Sequence, residues 1–301
     1  AAFLGSNRLT SPTGACLFFN NVTNALLRGN FLTSCARALA FGPSSAPPTA
    51  DADRSNTLEG KPFLWIANGA NVEVGAFDDA GLVVISSVSG ANLTDMRLKG
   101  VGVYILGSSN VRVERVLVEG ADVGLTALGT RGLTVREFTA RGVGEDIVVQ
   151  SGAFFASAQD ILLDHIRIEA TGGDGIRVAG ASNVTVRSAS VTAAGAALNF
   201  TRVLGALVVN LIADGSAIGL SMTDCAGATT VDSVFSGSVA FGLLARNTTG
   251  SASRNSFIDN TGPHASAPSS PSFLFFEPGL GNYWSGFVGP NVNGDAFFDI
   301  P

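Results

Sequence analysis

Histidine, methionine, tryptophan and tyrosine occur only twice each in the 301 residues, and cysteine three times. So few imidazole and sulfur ligands give no cluster for copper, and the cysteines show no metal-ligand spacing. Three cysteines are also too few for a disulfide scaffold, although Cys16 and Cys35 can pair if the chain is exported. Charged residues are 14%, against about 25% in ordinary globular proteins. Net charge is −6 with no basic run along the chain, which excludes nucleic acid as a partner. No apolar run reaches the roughly 18–20 residues of a membrane helix. The nearest, Val203 to Met222, is broken by Asn210 and Asp214 and contains three glycines. No basic region followed by an apolar stretch opens the chain, so no signal peptide is read there. The start, Ala1-Ala2-Phe3, fits a mature product after cleavage and equally a trimmed one.

What is present is small and apolar: 46% hydrophobic residues and 37 glycines, with a mean hydropathy of +0.34. That is ample apolar area for a core and rules out disorder. A small-apolar-variable-apolar unit recurs from Gly102-Val103-Tyr104-Ile105 to Gly242-Leu243-Leu244-Ala245. Its starts fall at 102, 124, 146, 175, 197, 219 and 242. A second strand-like segment follows in each unit, such as Val111-Arg112-Val113 and Val184-Thr185-Val186, and a third about five residues later, such as Val116-Leu117-Val118. No room remains for a crossover helix.

The pattern therefore predicts an all-β, single-domain, right-handed parallel β-helix with about 22 residues and three strands per coil. Stacking places Val103, Leu125, Ile147, Ile176, Leu198, Leu220 and Leu243 in one inward column. Tyr104, Thr126, Val148, Arg177, Asn199, Ser221 and Leu244 form the outward one. Weaker units at Ala15-Cys16-Leu17-Phe18, Ala38-Leu39-Ala40-Phe41 and Gly81-Leu82-Val83-Val84 extend it toward the N-terminus. The solenoid is placed at 1–260, with loop insertions at 42–61 and 150–158 and a capping or interaction segment at 261–301. Phe154 and Phe155 in one insertion, and Phe273, Phe275 and Phe276 in the last segment, are read as self-association surfaces, or as caps over the core.

Two C-terminal stretches, Asn255-Ser256-Phe257-Ile258-Asp259-Asn260 and Gly281-Asn282-Tyr283-Trp284-Ser285, carry a family resemblance. The chain resembles the pectate-lyase-like parallel β-helix superfamily, and within it NosD-like repeat proteins and archaeal surface proteins. In that group a similar Asn-Tyr-Trp-Ser segment closes the helix ahead of an Asp/Gly-rich tail. Here Asn291, Asn293, Asp295 and Asp299 are the oxygen ligands such a tail offers to a structural calcium.

The superfamily includes many polysaccharide lyases and hydrolases. Glu145 and Asp174 precede their repeat starts, so stacking sets them on adjacent coils beside Asp146, with Arg177 as an anion partner. Two carboxylates set that close can serve glycoside hydrolysis or lyase chemistry; the other reading is that they are surface turn acids. The His-containing motif expected alongside it is missing, since His165 and His264 lack flanking glycines. Five N-x-S/T sequons mark Asn21, Asn92, Asn183, Asn199 and Asn247 as glycosylation candidates. Asn71 and Asn110 are read as rungs of a stacked asparagine ladder, to which Asn92 and Asn183 also qualify.

The expectation drawn from these features is a non-catalytic, extracellular glycoprotein that assembles with itself into a cell-surface filament, sheath or surface layer. An open coil end is an unpaired strand edge ready to template a second copy. No cofactor is expected beyond the possible calcium. Two alternatives stand beside it: a lyase or hydrolase acting on acidic glycans through Glu145, Asp146 and Asp174, and a monomeric glycan-binding adhesin.

Overall fold

Each repeat alternates apolar and polar residues over segments too short to bury anything alone, so burial requires stacking. The computed structural model describes residues 2–19, 22–41, 49–75, 80–121, 123–142, 145–150, 158–275 and 281–285. They are all-β, without a helix, in about 11 turns of ~22 residues. No helix among them is long and apolar enough to cross a membrane. Two compact units divide the chain at Gln159 and Asp160.

In the first unit, short strands Lys61–Ala67, Leu82–Ser86, Val103–Leu106, Val123–Leu128 and Glu145–Gln150 pair in parallel. Long strands Ala70–Gly75, Ser89–Lys99, Ser109–Glu119 and Arg131–Arg141 do the same. In the second unit, Ile176–Ala179, Ala196–Thr201, Ile218–Thr223 and Phe241–Arg246 form the short-strand sheet. Ala181–Ala193, Leu204–Asp214 and their successors form the long one. The predicted inward column is present in both: Val103 pairs with Leu125 and Leu125 with Ile147. Ile176, Leu198, Leu220 and Leu243 follow one another in the second unit. All except Ile147, whose side chain lies outside the described residues, are at most 1% exposed.

The second and third predicted strands are one continuous long strand bent in the middle. In Ser109–Glu119, Val111, Val113, Val116 and Val118 are buried, while Glu114 and Arg115 both face outward. The break in alternation is a single left-handed residue, Arg115, with φ 52°. Asp95, Glu137, His165, Ser188, Asn210, Asp232 and Arg254 hold the equivalent corner, all with positive φ. One residue in that conformation turns the chain without inserting a loop.

Three sequence expectations change. Val83, not Leu82, pairs with Val103. Both are fully buried, so the apolar run Leu82–Ile85 carries no alternation to fix its register. The stretch 42–61 contains strands Thr49–Ala52 and Thr57–Leu58. The latter turns through Glu59 and Gly60, both at positive φ, into an antiparallel pairing with Lys61 and Pro62, as a two-residue hairpin requires. Beyond residue 260, Ala265–Ser266, Phe273–Leu274 and Tyr283–Trp284 add further parallel rungs. There Phe273 is buried, edge-on to Phe275 at 5.4 Å, and Phe275 meets Trp284 at 6.2 Å. Phe273 is packed inward and the half-buried Phe275 lies against it, an arrangement that fits the capping alternative. Phe154, Phe155 and Phe276 lie outside the described residues.

Candidate functional site

Asp174 ends the turn before Ile176–Ala179, and both its carboxylate oxygens are engaged. Oδ1 accepts the backbone N–H of Ala196 at 2.9 Å and Oδ2 the amide of Asn199 at 2.7 Å. It fastens the start of the next coil, which explains an acid there without catalysis. Arg177 sits beside Asn199 in the outward column. Glu145 and Asp146 lie on Glu145–Gln150, with side chains outside the described residues. Asn291, Asn293, Asp295 and Asp299 also fall outside. Among the described residues no group of three His, Cys, Asp or Glu is placed to hold a metal ion. Cys16 and Cys35 are disulfide-bonded, with Cα atoms 5.6 Å apart.

The outward column is not uniformly in water: Tyr104 is 5% exposed and Leu244 3%. Tyr104 lines a cleft of about 340 Å³ together with Cys35, Ala38, Leu58 and Glu59. Glu59, its one carboxylate, already accepts the Ser34 N–H. The sequon asparagines have a shared arrangement. Asn92, Asn183, Asn199 and Asn247 donate Nδ2 to Glu73, Asp160, Asp174 and Asp224 respectively, each one coil away. Asn21 lies outside the described residues.

The expected ladder is misplaced. Asn71 and Asn110 occupy a left-handed corner at φ 51° and 53°, but Gly90 separates them and Gly132 follows. Asparagine and glycine alternate there because both tolerate that conformation. Asn92 stands two residues further on, inside its strand, opposite Arg112. Buried ladders exist elsewhere. Asn7 donates to Asn30 at 3.0 Å and Asn30 to Asn56 at 2.8 Å. Asn255 donates to Asn282 at 3.1 Å. The signal was a recurring Asn-x-apolar triplet: Asn30-Phe31-Leu32, Asn56-Thr57-Leu58, Asn255-Ser256-Phe257 and Asn282-Tyr283-Trp284.

The chemistry that sequence reasoning missed lies on the outer face of the strand Ala158–Thr171. Asp164 is buried at 5% exposure. Its Oδ2 accepts Arg187 Nη2 from the neighbouring strand at 2.8 Å, and its Oδ1 lies 2.8 Å from His165 Nδ1. The Arg187 guanidinium, with help from His165, holds the Asp164 carboxyl below the usual carboxylate range against the opposing effect of burial. In the neutral imidazole, an ionised Asp164 puts the ring proton on Nδ1 and leaves Nε2 as the acceptor. The His165 side chain is 67% exposed, so that acceptor is reachable from solvent. The left-handed backbone of His165 is no sign of function, because the whole corner column shares it. What singles out this position is the ionised, anchored partner. A spacing of 23 between Asp164 and Arg187, one coil, was the available signal.

At the level of sequence, no curated protein matches the chain significantly. Among solved structures, the periplasmic alginate epimerase AlgG matches over 90% of this chain and 73% of its own, with TM-score 0.61 and 10% identity in a point-mutant form. Another AlgG structure gives TM-score 0.54 at 8% identity, over 89% of this chain and 78% of that one. The family GH136 lacto-N-biosidase of Eubacterium ramulus gives 0.50 at 9%, over 87% of this chain and 51% of its own. At such identities the likeness is one of fold. It nonetheless corrects the expectation of a non-catalytic protein: these neighbours are carbohydrate-active enzymes, and missing hydrolase motifs do not make this scaffold inert. The family model for the right-handed β-helix region matches residues 80–262, more than half of the sequence, and the chain belongs to that family.

Proposed function

We propose that the chain is a secreted or surface protein that acts on acidic glycans by moving a proton through His165. The observation that carries this reading is the anchored pair: buried, ionised Asp164 orients an exposed imidazole whose Nε2 is open to a substrate proton. Arg187 has N–H donors beyond the one given to Asp164, and a uronate carboxylate is their natural acceptor. A guanidinium on that carboxylate eases removal of the proton on the adjoining carbon, which is general-base work suited to a histidine. Reprotonation on the opposite face is epimerisation; loss of the neighbouring glycosidic oxygen is lyase cleavage. Hydrolysis fits less well, since it needs two available carboxylates and each oxygen of Asp174 already accepts a hydrogen bond that holds the next coil. The fold likeness to an alginate epimerase agrees with this chemistry.

The test is incubation with polyuronides in heavy water, following deuterium uptake at the carbon beside the carboxylate by NMR and unsaturated product by absorbance. His165→Ala is expected to lower either rate by at least about 100-fold, with Asp164→Asn lowering it less. A His165→Ala protein as active as the parent would refute the assignment.

A further inference from the structure

The sequence holds no basic run, yet the coil gathers one in the first unit. The strands Ser89–Lys99, Ser109–Glu119 and Arg131–Arg141 carry seven basic against four acidic side chains, a surplus of three, in a chain whose net charge is −6. None of the seven is buried. Asp95 accepts from Arg115 with both oxygens, at 2.6 and 2.9 Å, and Glu114 and Glu119 each serve two arginines. Glu114, 14% exposed, lies 2.5 Å from Arg112 and 3.0 Å from Arg115, and Arg136 occupies the register position beside it on the next coil. Glu119 is shared between Arg97 at 3.5 Å and Arg141 at 4.0 Å. One carboxylate cannot accept from every N–H of two guanidiniums. Between Arg112 and Arg136 runs a groove of about 400 Å³, edged by Asn110, Gly132 and Thr134.

We infer that this groove is a binding subsite for the carboxylates of an acidic glycan, with Arg112 and Arg136 as the anion-recognising pair. The inference takes its ligand class from the proposed function but places the contact on different strands from His165. Guanidiniums suit planar carboxylates, and the Asn110 amide and Thr134 hydroxyl suit sugar hydroxyls. Among the described residues no aromatic ring lines the groove to stack a nucleic-acid base.

The experiment is calorimetry on the full chain carrying His165→Ala, so that binding is read without turnover. A short oligogalacturonate should bind and its methyl ester should not. The double variant Arg112→Gln/Arg136→Gln should weaken binding about tenfold or more. Thr134→Glu, which removes no arginine but sets a carboxylate opposite Arg112, should weaken it similarly. Arg246→Gln, in the second unit, should leave binding unchanged. Equal binding of the ester, no binding by the parent, unchanged affinity in both groove variants, or tighter binding of a single-stranded oligonucleotide would each overturn the subsite. Turnover lost at His165 with binding intact leaves the groove standing; binding lost in the groove variants bears on the groove alone.

Discussion

The long strands of the two units have interiors of the same kind and differ on the face they turn outward. In Ser109–Glu119, Val111, Val113, Val116 and Val118 are buried, and Arg112, Glu114, Arg115 and Glu119 line the other side. In Leu204–Asp214, Ala206, Val208, Leu211 and Ala213 are buried, while Leu204, Leu207 and Ile212 are exposed on the other side. The inward positions are constrained by the neighbouring rung in both units, so they stay aliphatic. The outward positions meet no such demand. In this molecule the interior sets the fold, and the outer face is where charge and chemistry differ from coil to coil.

The largest effect should come from the interior of each unit. Leu125→Ala in the first unit and Leu220→Ala in the second remove side chains with no exposure, and each should cost about 2–5 kcal/mol by denaturant unfolding. A large loss in only one of them breaks the equivalence of the two interiors. Next come the buried asparagines. Asn255 donates to Thr230 and Asn282 and accepts the Ser233 N–H, so Asn255→Ala should cost about 1–3 kcal/mol by orphaning those groups.

A smaller, pH-dependent effect belongs to Asp164. Its carboxyl is held low in the folded protein, so its contribution is present above the ordinary aspartate range and is lost as pH falls through the lower folded value. The melting temperature of the parent should exceed that of Asp164→Asn at neutral pH, and the gap should close in acid. A gap that widens in acid contradicts the ionised Asp164 on which the His165 tautomer depends. Smallest of all, Leu207→Asp on the outer face of the second unit should change stability by less than about 0.5 kcal/mol. A larger loss would show that this face is covered.

The repeat was legible because inward columns leave a strict spacing, and the pairing of Val103, Leu125 and Ile147 follows it. Legibility ended where the alternation did. Leu82 and Val83 are both apolar and both buried, so the register there was settled by stacking. The asparagine ladders were missed because identity alone does not separate a left-handed corner, where Asn71 and Asn110 sit, from a buried rung such as Asn30 or Asn255. His165 is not legible as a motif along the chain, because Asp164 meets Arg187 across one coil.

By itself the sequence determined the solenoid: short alternating segments with glycine and asparagine at the corners have no other way to bury their aliphatic residues. Only the tertiary structure decided which outward side chains meet. Residues about 22 apart become neighbours at about 4.8 Å, so arginines scattered along the chain become one basic face, and an aspartate, a histidine and a distant arginine become one site.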